Sequence, residues 1–331
     1  PMFIEPFFGS GACLLNRPLP CNGVETVNDL DGLVCNFWRA VKAAPDKVAE
    51  YTDWPVIEND LHARHTWLVH CKNTLQEKLE GDPDFFDAKA AGWWCWGMAC
   101  WIGGGFCAGN GPWQVEEIDG VRKLVHLGAG QGVNRQRVHL GAGQGVNRQR
   151  VAEADGVDAK SGRGECGLLA WMQALSQRFE RVRICCGDWQ RICGGQSGGA
   201  LGHMMQKTPC GVFLDPPYAD TAGRESDIYR VDSETVAHAV REWAIAHGDD
   251  ERFRIALCGY QGEHNMPSSW RVLSWEAQGG MSNLSKQGKP SVGQDNAKRE
   301  RIWFSPHCLQ PALETSNHTR PRTKKAAVAH V

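Results

Sequence analysis

The sequence predicts an α/β fold in which a mainly parallel, doubly wound sheet carries a helical and loop-rich insertion. Three short strand-like segments, each followed by or ending in an acid, lead to this prediction: residues 3–5, 25–29 and 211–215. A fourth segment, 182–188, has the same pattern. Acids at the carboxyl ends of parallel strands are typical of ligand sites in this fold class.

A tetrapeptide formed by Asp215, Pro216, Pro217 and Tyr218 directly follows the apolar run 211–214. The two prolines stiffen the turn, and Pro216 keeps a carbonyl acceptor while lacking an N–H donor. Asp215 adds a carboxylate acceptor, and Tyr218 adds an aromatic face for stacking. These groups suit a site that holds the amino group of a flat base. The alternative interpretation is an ordinary strand that ends in an Asp-Pro turn.

A second motif lies at the start of the chain, where the predicted strand at residues 3–5 runs into a Gly-x-Gly turn and a helix from Ala12. Glycine lets a ligand approach the backbone closely. Asp29 follows Gly11 by close to the roughly 20 residues that separate such a turn from a ribose-binding acid. The pair of Asp188 and Trp189 would similarly suit the amino group and ring face of an adenine.

In this order, the motifs resemble those of the Dam-like (class alpha) DNA adenine-N6 methyltransferases, especially the bacteriophage and prophage type. The resemblance covers residues 3 to 306 and includes the segments 258–264 and 299–306. It implies a Rossmann-like fold, S-adenosyl-L-methionine as the cofactor and double-stranded DNA as the partner. The tetrapeptide would be the catalytic motif: Asp215, Pro216, Pro217 and Tyr218. The implied cofactor-binding residues are Glu5, Pro6, Phe7, Phe8, Gly9, Ser10, Gly11, Asp29, Asp188 and Trp189.

The expected mechanism follows from the weak nucleophilicity of an exocyclic amine, whose lone pair is delocalised into the ring. Acceptors at Asp215 and at the Pro216 carbonyl would localise that lone pair for in-line attack on the cofactor methyl group. The base has to be flipped out of the duplex, with Tyr218 as its stacking platform. This chemistry needs no metal, and we expect no strongly shifted pKa at Asp215.

One departure from the family concerns the N-terminus. The family carries a further glycine–lysine cofactor motif upstream of the first strand, whereas this chain starts at Pro1. We therefore expect a fragment that lacks this motif. An alternative hypothesis is that the protein is not an enzyme. It would then be a truncated, duplicated relic of such a methyltransferase that still binds DNA but does not catalyse methyl transfer.

Two other classes of enzyme also stay open. An RNA or protein-glutamine N-methyltransferase would keep much of the cofactor site, although Asp rather than Asn at position 215 disfavours the glutamine enzyme. A nicotinamide oxidoreductase would use a similar βαβ unit but would leave the tetrapeptide unexplained.

Clustered basic residues predict where DNA is bound. The formal net charge of −2 does not by itself indicate a nucleic-acid-binding protein, but residues 121–151 contain six Lys and Arg residues and no acid. The unit at 126–138 recurs unchanged at 139–151. The expected DNA contacts are Arg122, Lys123, Gln131, Asn134, Arg135, Arg137, Lys286 and Lys289. Neither the recognition sequence nor the oligomeric state follows from the sequence, and a monomer is compatible with it.

The predicted domain organisation places the catalytic domain at residues 1–56 and 181–308. Residues 57–180 form an inserted target-recognition region, which begins with a predicted helix at 59–80. The aromatic residues within 85–101 are expected mostly to form a core. A strand is expected at 254–258, and residues 270–275 and 301–304 are expected to form an antiparallel pair. The polar, basic residues 309–331 are expected to be disordered.

Composition narrows the class of protein further. The 14 cysteines include no Cys-x-x-Cys pair and are interpreted as buried free thiols. His62, His65, His70 and Cys71 could bind a metal, but a helix surface is the preferred interpretation. No run approaches the ~20 apolar residues that span a membrane. Together with the resemblance, this predicts a cytoplasmic protein of a bacterial or phage-infected cell, with neither a metal nor a membrane partner.

Overall fold

The computed structural model describes residues 2–17, 23–101, 106–107, 113–118, 121–126, 167–194, 209–218, 236–274 and 298–309. The strands in these residues are β1 (Met2–Glu5), β2 (Glu25–Asp29), β3 (Trp113–Ile118), β4 (Val121–His126), β5 (Val182–Cys186), β6 (Cys210–Leu214), β7 (Phe253–Tyr260), β8 (Arg271–Ser274) and β9 (Glu300–Phe304). The helices are α1 (Ala12–Leu15), α2 (Gly32–Ala43), α3 (Pro45–Thr52), α4 (Glu58–Gly81), α5 (Ala88–Cys100), α6 (Leu168–Arg178), α7 (Gln190–Cys193) and α8 (Val236–Gly248).

Seven strands form one mixed sheet in the order β5-β2-β1-β6-β7-β9-β8. The first five of these are mutually parallel, and β9 runs antiparallel to both of its neighbours. The predicted α/β fold with a mainly parallel sheet is therefore confirmed, as is the antiparallel pair expected near 270–275 and 301–304. The strand order reverses between β1 and β6, and the crevice at such a switch point is where open α/β sheets bind ligands.

Both faces of this sheet are covered by apolar side chains. On one face, Trp38 of α2 stacks on Phe179 with ring centroids 4.8 Å apart, and Phe8 packs against both rings. On the other face, α8 contributes Val240 and Ala244 to a cluster built around β6 and β7. Burying two faces of parallel strands explains why these strands appear in the sequence as short apolar runs.

Helices α4 and α5 pack against α2, although they lie in the predicted insertion. The Asn36 side chain exchanges two hydrogen bonds with the backbone of Asp87, each 2.8 Å long. Arg39 of α2 donates to the carbonyl groups of Leu79, Asp82 and Phe85 at the end of α4 and beyond it. The helix expected at 59–80 is confirmed as α4. The domain boundary expected near residue 57 thus falls within a continuous helical layer.

The aromatic residues of this layer mostly belong to the core, as expected. Trp96 is buried, and the Arg64 guanidinium lies 4.3 Å from the centroid of its ring. His65 of α4 is also buried and stacks on Trp101, with centroids 4.9 Å apart. Burial lowers the pKa of His65 to about 4. The interpretation of His65 as a helix-surface residue is therefore wrong.

Strands β3 and β4 form a separate antiparallel hairpin. Its register places Arg122 opposite Glu117 and Lys123 opposite Glu116, so the basic strand pairs with an acidic one. Other predicted DNA contacts lie outside the described residues: Gln131, Asn134, Arg135, Arg137, Lys286 and Lys289. So do residues 310–331 and, apart from its first residue His126, the tandem repeat.

Candidate functional site

The turn after β1 brings its backbone to the surface at the carboxyl edge of the sheet. Gly9 and Gly11 adopt positive φ angles of 48° and 71°, which favour glycine. A Cβ atom on Gly11 would lie 2.8 Å from the Phe8 ring, so this glycine also permits close packing. A Cβ atom on Gly9 would meet nothing within 4 Å in the described part of the structure. The space beside the Cα atom of Gly9 is therefore open in this part of the structure.

Asp29 is held next to this turn. Its Oδ2 atom accepts a 2.8 Å hydrogen bond from the Gly9 amide, and its Oδ1 atom accepts one of 2.8 Å from the Asp31 amide. The neighbouring Asn28 side chain donates to the carbonyl groups of Pro6 and Gly187. The ends of β1, β2 and β5 are thereby joined, and Gly9 lies directly against Asp29.

Asp188 and Trp189 face different environments. Asp188 is exposed, and its Oδ1 atom accepts a 2.8 Å hydrogen bond from the amide of Gln190. The Trp189 ring is buried between Phe7 and Trp243, with centroid distances of 6.2 and 6.4 Å. Of the two side chains, only that of Asp188 reaches the surface at this edge.

The tetrapeptide directly follows β6, which is the neighbour of β1 across the switch point. Pro216 is buried, Tyr218 is half-buried, and Asp215 keeps open surface. The Tyr218 ring packs edge-to-face on Tyr260, at the end of β7, with centroids 4.5 Å apart. This contact fixes the ring that the sequence assigns to base stacking.

Crowding by protein atoms raises the pKa of Asp215 to about 6, and a hydrogen bond with Tyr218 partly offsets the increase. Because Asp215 also keeps open surface, water screens part of this effect. The expectation of no strongly shifted pKa at Asp215 is wrong. The sequence could not show how closely other parts of the chain surround this carboxylate.

Glu5 and Glu300 complete a cluster of three carboxyl groups around Asp215. Glu300 lies opposite Tyr260 in the ladder between β7 and β9, so the two side chains share one face of the sheet. Burial and the charge of Asp215 raise the pKa of Glu300 to about 7. The sequence placed Glu300 in a family segment but gave it no role, because only the pairing of β9 with β7 brings it to this edge.

Glu5 is the most buried member of the cluster, with 3% of its surface exposed. Burial and the charge of Asp215 raise its pKa to about 8, although Arg17 and a hydrogen bond from the Leu14 backbone oppose the increase. Among the described residues, its Oε2 atom has no hydrogen-bond partner. An orphaned, buried carboxyl oxygen is costly, and it indicates a place where a donor or a cation binds.

We expect the Glu5→Gln variant to lose the pH dependence of stability that Glu5 causes. The folded pKa of Glu5 is about 8, against 4.5 for the unfolded chain. Between these values the unfolded chain ionises Glu5 and the folded chain does not, so stability falls by about 1.4 kcal/mol per pH unit. Urea unfolding at pH 5 and pH 8 gives the free energy of unfolding that each protein loses as the pH rises. We expect the wild type to lose more than the variant, by on the order of 4 kcal/mol. Equal losses in the two proteins would contradict the assignment.

A buried ion pair lies at the amino end of β2 and was not foreseen from the sequence. The Arg178 guanidinium of α6 binds both carboxylate oxygens of Glu25, at 2.6 and 3.0 Å, and also the Leu14 carbonyl. Arg17 pairs with the same carboxylate. The pair therefore connects α6, β2 and α1.

Three further observations concern ligands and environment. Within the described ranges, no group of three or more His, Cys, Asp or Glu residues could hold a metal ion. No described helix combines the length and apolarity needed to cross a bilayer. The described cysteines are free thiols, and most of them are buried.

Comparison with known proteins does not assign the chain to a group. No protein-family model matches it, and no curated protein matches it. The functional conclusion therefore depends on the site and on the motif resemblance.

Proposed function

We propose that this protein transfers a methyl group from S-adenosyl-L-methionine to the N6 atom of adenine in DNA. One observation carries the proposal: the glycine turn and the tetrapeptide follow adjacent parallel strands, β1 and β6, on the two sides of the switch point. A cofactor on the first motif would therefore lie beside a base held by the second. The motif order found in the sequence supports the same conclusion.

The residues present fit this cofactor. S-adenosyl-L-methionine supplies, when bound, an electrophilic methyl group on a positively charged sulfonium. The cluster of Glu5, Asp215 and Glu300 suits a cationic ligand, and the unpartnered Oε2 atom of Glu5 provides a buried acceptor. The open backbone at Gly9 and the oriented carboxylate of Asp29 suit its nucleoside part.

Two acceptors would act on the target amine. The Asp215 carboxylate and the Pro216 carbonyl each accept one amine hydrogen, which localises the nitrogen lone pair and aims it at the methyl group. The direction of this second acceptor is restricted, because the following Pro217 limits the ψ angle of Pro216, and ψ sets where the Pro216 carbonyl points. Tyr218, held by Tyr260, provides the surface on which the flipped base stacks.

The strand order bears on the oxidoreductase alternative. The dinucleotide-binding order of two βαβαβ halves uses six parallel strands. Here a reversed β9 lies between β7 and β8. This departure, together with the tetrapeptide, favours the methyltransferase.

Methyl transfer to different acceptors tests the proposal. Labelled S-adenosyl-L-methionine would be offered with unmethylated duplex DNA, with RNA or with a glutamine-containing peptide. Label found in DNA as N6-methyladenine supports the proposal, and label found only in RNA or peptide would replace it by that alternative. No label with intact DNA binding and no calorimetric cofactor binding would support the non-catalytic relic, and calorimetric binding of a nicotinamide dinucleotide would support the oxidoreductase.

The proposed role of Asp215 predicts how activity depends on pH. Asp215 has to be ionised, because an ionised carboxylate accepts hydrogen bonds strongly and donates none. Its pKa is raised to about 6. We therefore expect kcat/KM for DNA to rise about tenfold per pH unit below pH 6 and to level off above it, because this ratio reports the free enzyme. A profile that stays flat from pH 5 to pH 8 would exclude this role. Enzyme incubated at each pH and assayed at pH 7.5 is the control for unfolding.

A further inference from the structure

Three basic residues surround the start of β9, and we call Lys298, Arg299 and Arg301 the basic rim. Lys298 is exposed, and the two arginines are half-buried. The rim lies at the carboxyl end of β7, because Glu300, between the two arginines, pairs with Tyr260. It is therefore next to the tetrapeptide, and it belongs to the C-terminal group of basic residues that the sequence offers for phosphate contacts.

Contacts with the loop after β7 hold the rim in place. The Arg301 guanidinium donates to the carbonyl groups of Lys298 and Glu300, at 3.0 and 2.7 Å, and to the Gln261 side chain. The backbone N–H of Gln261 donates to the backbone carbonyl of Arg299 at 2.7 Å. These bonds order the Arg301 guanidinium and fix the backbone of Arg299, and groups that are ordered beforehand lose less conformational freedom when they bind an anion.

Arg299 is connected to the proposed base site by two ring contacts. Its guanidinium carbon lies 5.1 Å from the centroid of the Tyr260 ring, which in turn packs on Tyr218. A flipped nucleotide rotates about its own backbone, so its flanking phosphates stay close to the mouth of the base pocket. A cation at this position is therefore placed for a phosphate and not for the base.

We propose that the basic rim binds the DNA phosphates next to the target adenine, with Arg299 as the principal contact. This inference rests on the proposed function for the identity of the base. Arg is well suited to this role because its planar fork binds phosphate oxygens in pairs.

The test compares DNA binding by the wild type, Arg299→Ala and Arg299→Lys, without cofactor. Fluorescence anisotropy of a short labelled duplex would be measured between roughly 50 and 200 mM salt. We expect Arg299→Ala to lose about tenfold in affinity, which corresponds to one charge-assisted hydrogen bond. The slope of log K against log salt should become shallower by about 0.9, the value for one lost phosphate contact. Arg299→Lys should restore most of the slope.

Arg181→Ala is the matched control, because Arg181 is exposed just before β5, at the opposite edge of the sheet. Unchanged affinity and slope in Arg299→Ala, or an equal change in Arg181→Ala, would overturn the inference. A structural defect would lower the fraction of active protein without changing the salt slope, and Arg299→Lys would not correct the slope. A wild type that binds DNA with this salt dependence but transfers no methyl group would refute the proposed function and leave the rim in place.

Discussion

Replacing Asp215 by Ala is expected to reduce methyl transfer by at least roughly 10²- to 10³-fold, the range found when one group that stabilises a transition state is removed. The Pro216 carbonyl alone would leave one amine hydrogen without an acceptor, so the nitrogen lone pair would stay delocalised. The rate of Asp215→Asn should lie between the rates of the wild type and of Asp215→Ala, because its amide oxygen still accepts a hydrogen bond but carries no full charge. Initial rates at saturating DNA and cofactor are the measurement.

Two controls make this result specific to Asp215. Asp249→Ala removes an exposed carboxylate that precedes β7, far from the tetrapeptide along that strand, and should keep wild-type rates. Cofactor and DNA affinities of Asp215→Ala should show whether the variant still binds both molecules. A variant that binds both and methylates at the wild-type rate would exclude the proposed role.

The largest effect on stability is expected for Arg178→Met. Both side chains of the Arg178–Glu25 pair are nearly inaccessible to solvent, at 4% and 3% exposure. Methionine fills much of the volume of the arginine stem. Among the described residues it leaves the buried Glu25 with Arg17 as its remaining ionic partner. Removing one partner of a buried pair costs about 3–5 kcal/mol, because the remaining charge is poorly compensated. Urea unfolding would measure this loss.

A matched surface variant separates burial from charge. Arg252→Met breaks the pair with Asp250, in which the arginine is 55% exposed, and should cost at most about 1 kcal/mol. Adding Glu25→Gln to Arg178→Met should recover part of the loss, since the unpaired charge is then gone. Equal losses in the buried and surface variants would show that the Arg178–Glu25 pair does not stabilise the fold as described.

The sequence predicted those parts of the site that lie on short, contiguous segments. The glycine turn, Asp29 and the tetrapeptide each combine a strand with the polar residues that follow it, so apolar pattern and turn residues locate them together. For the same reason the strands β1, β2, β5, β6 and β7 could be predicted from their local sequences. The pairing of β8 with β9 was also expected.

The parts that were missed depend on contacts between distant segments. Glu300 joins the site only because β9 pairs with β7, and Arg178 meets Glu25 across 153 positions of the chain. The raised pKa of Glu5 depends partly on Asp215, which follows another strand, β6. Such effects arise from packing and register, which no local pattern in one sequence specifies.

The proposed activity is tested most directly by measuring N6-methyladenine in plasmid DNA after expression of the full chain. The bacterial host would lack adenine methylation of its own, and the Asp215→Ala variant would be expressed in parallel at a matched protein level. We expect nuclease digestion and mass spectrometry to find N6-methyladenine in wild-type samples and to find none in the variant. Soluble, folded wild-type protein that binds cofactor and DNA but leaves the plasmid unmethylated would contradict it, as would equal methylation by the variant.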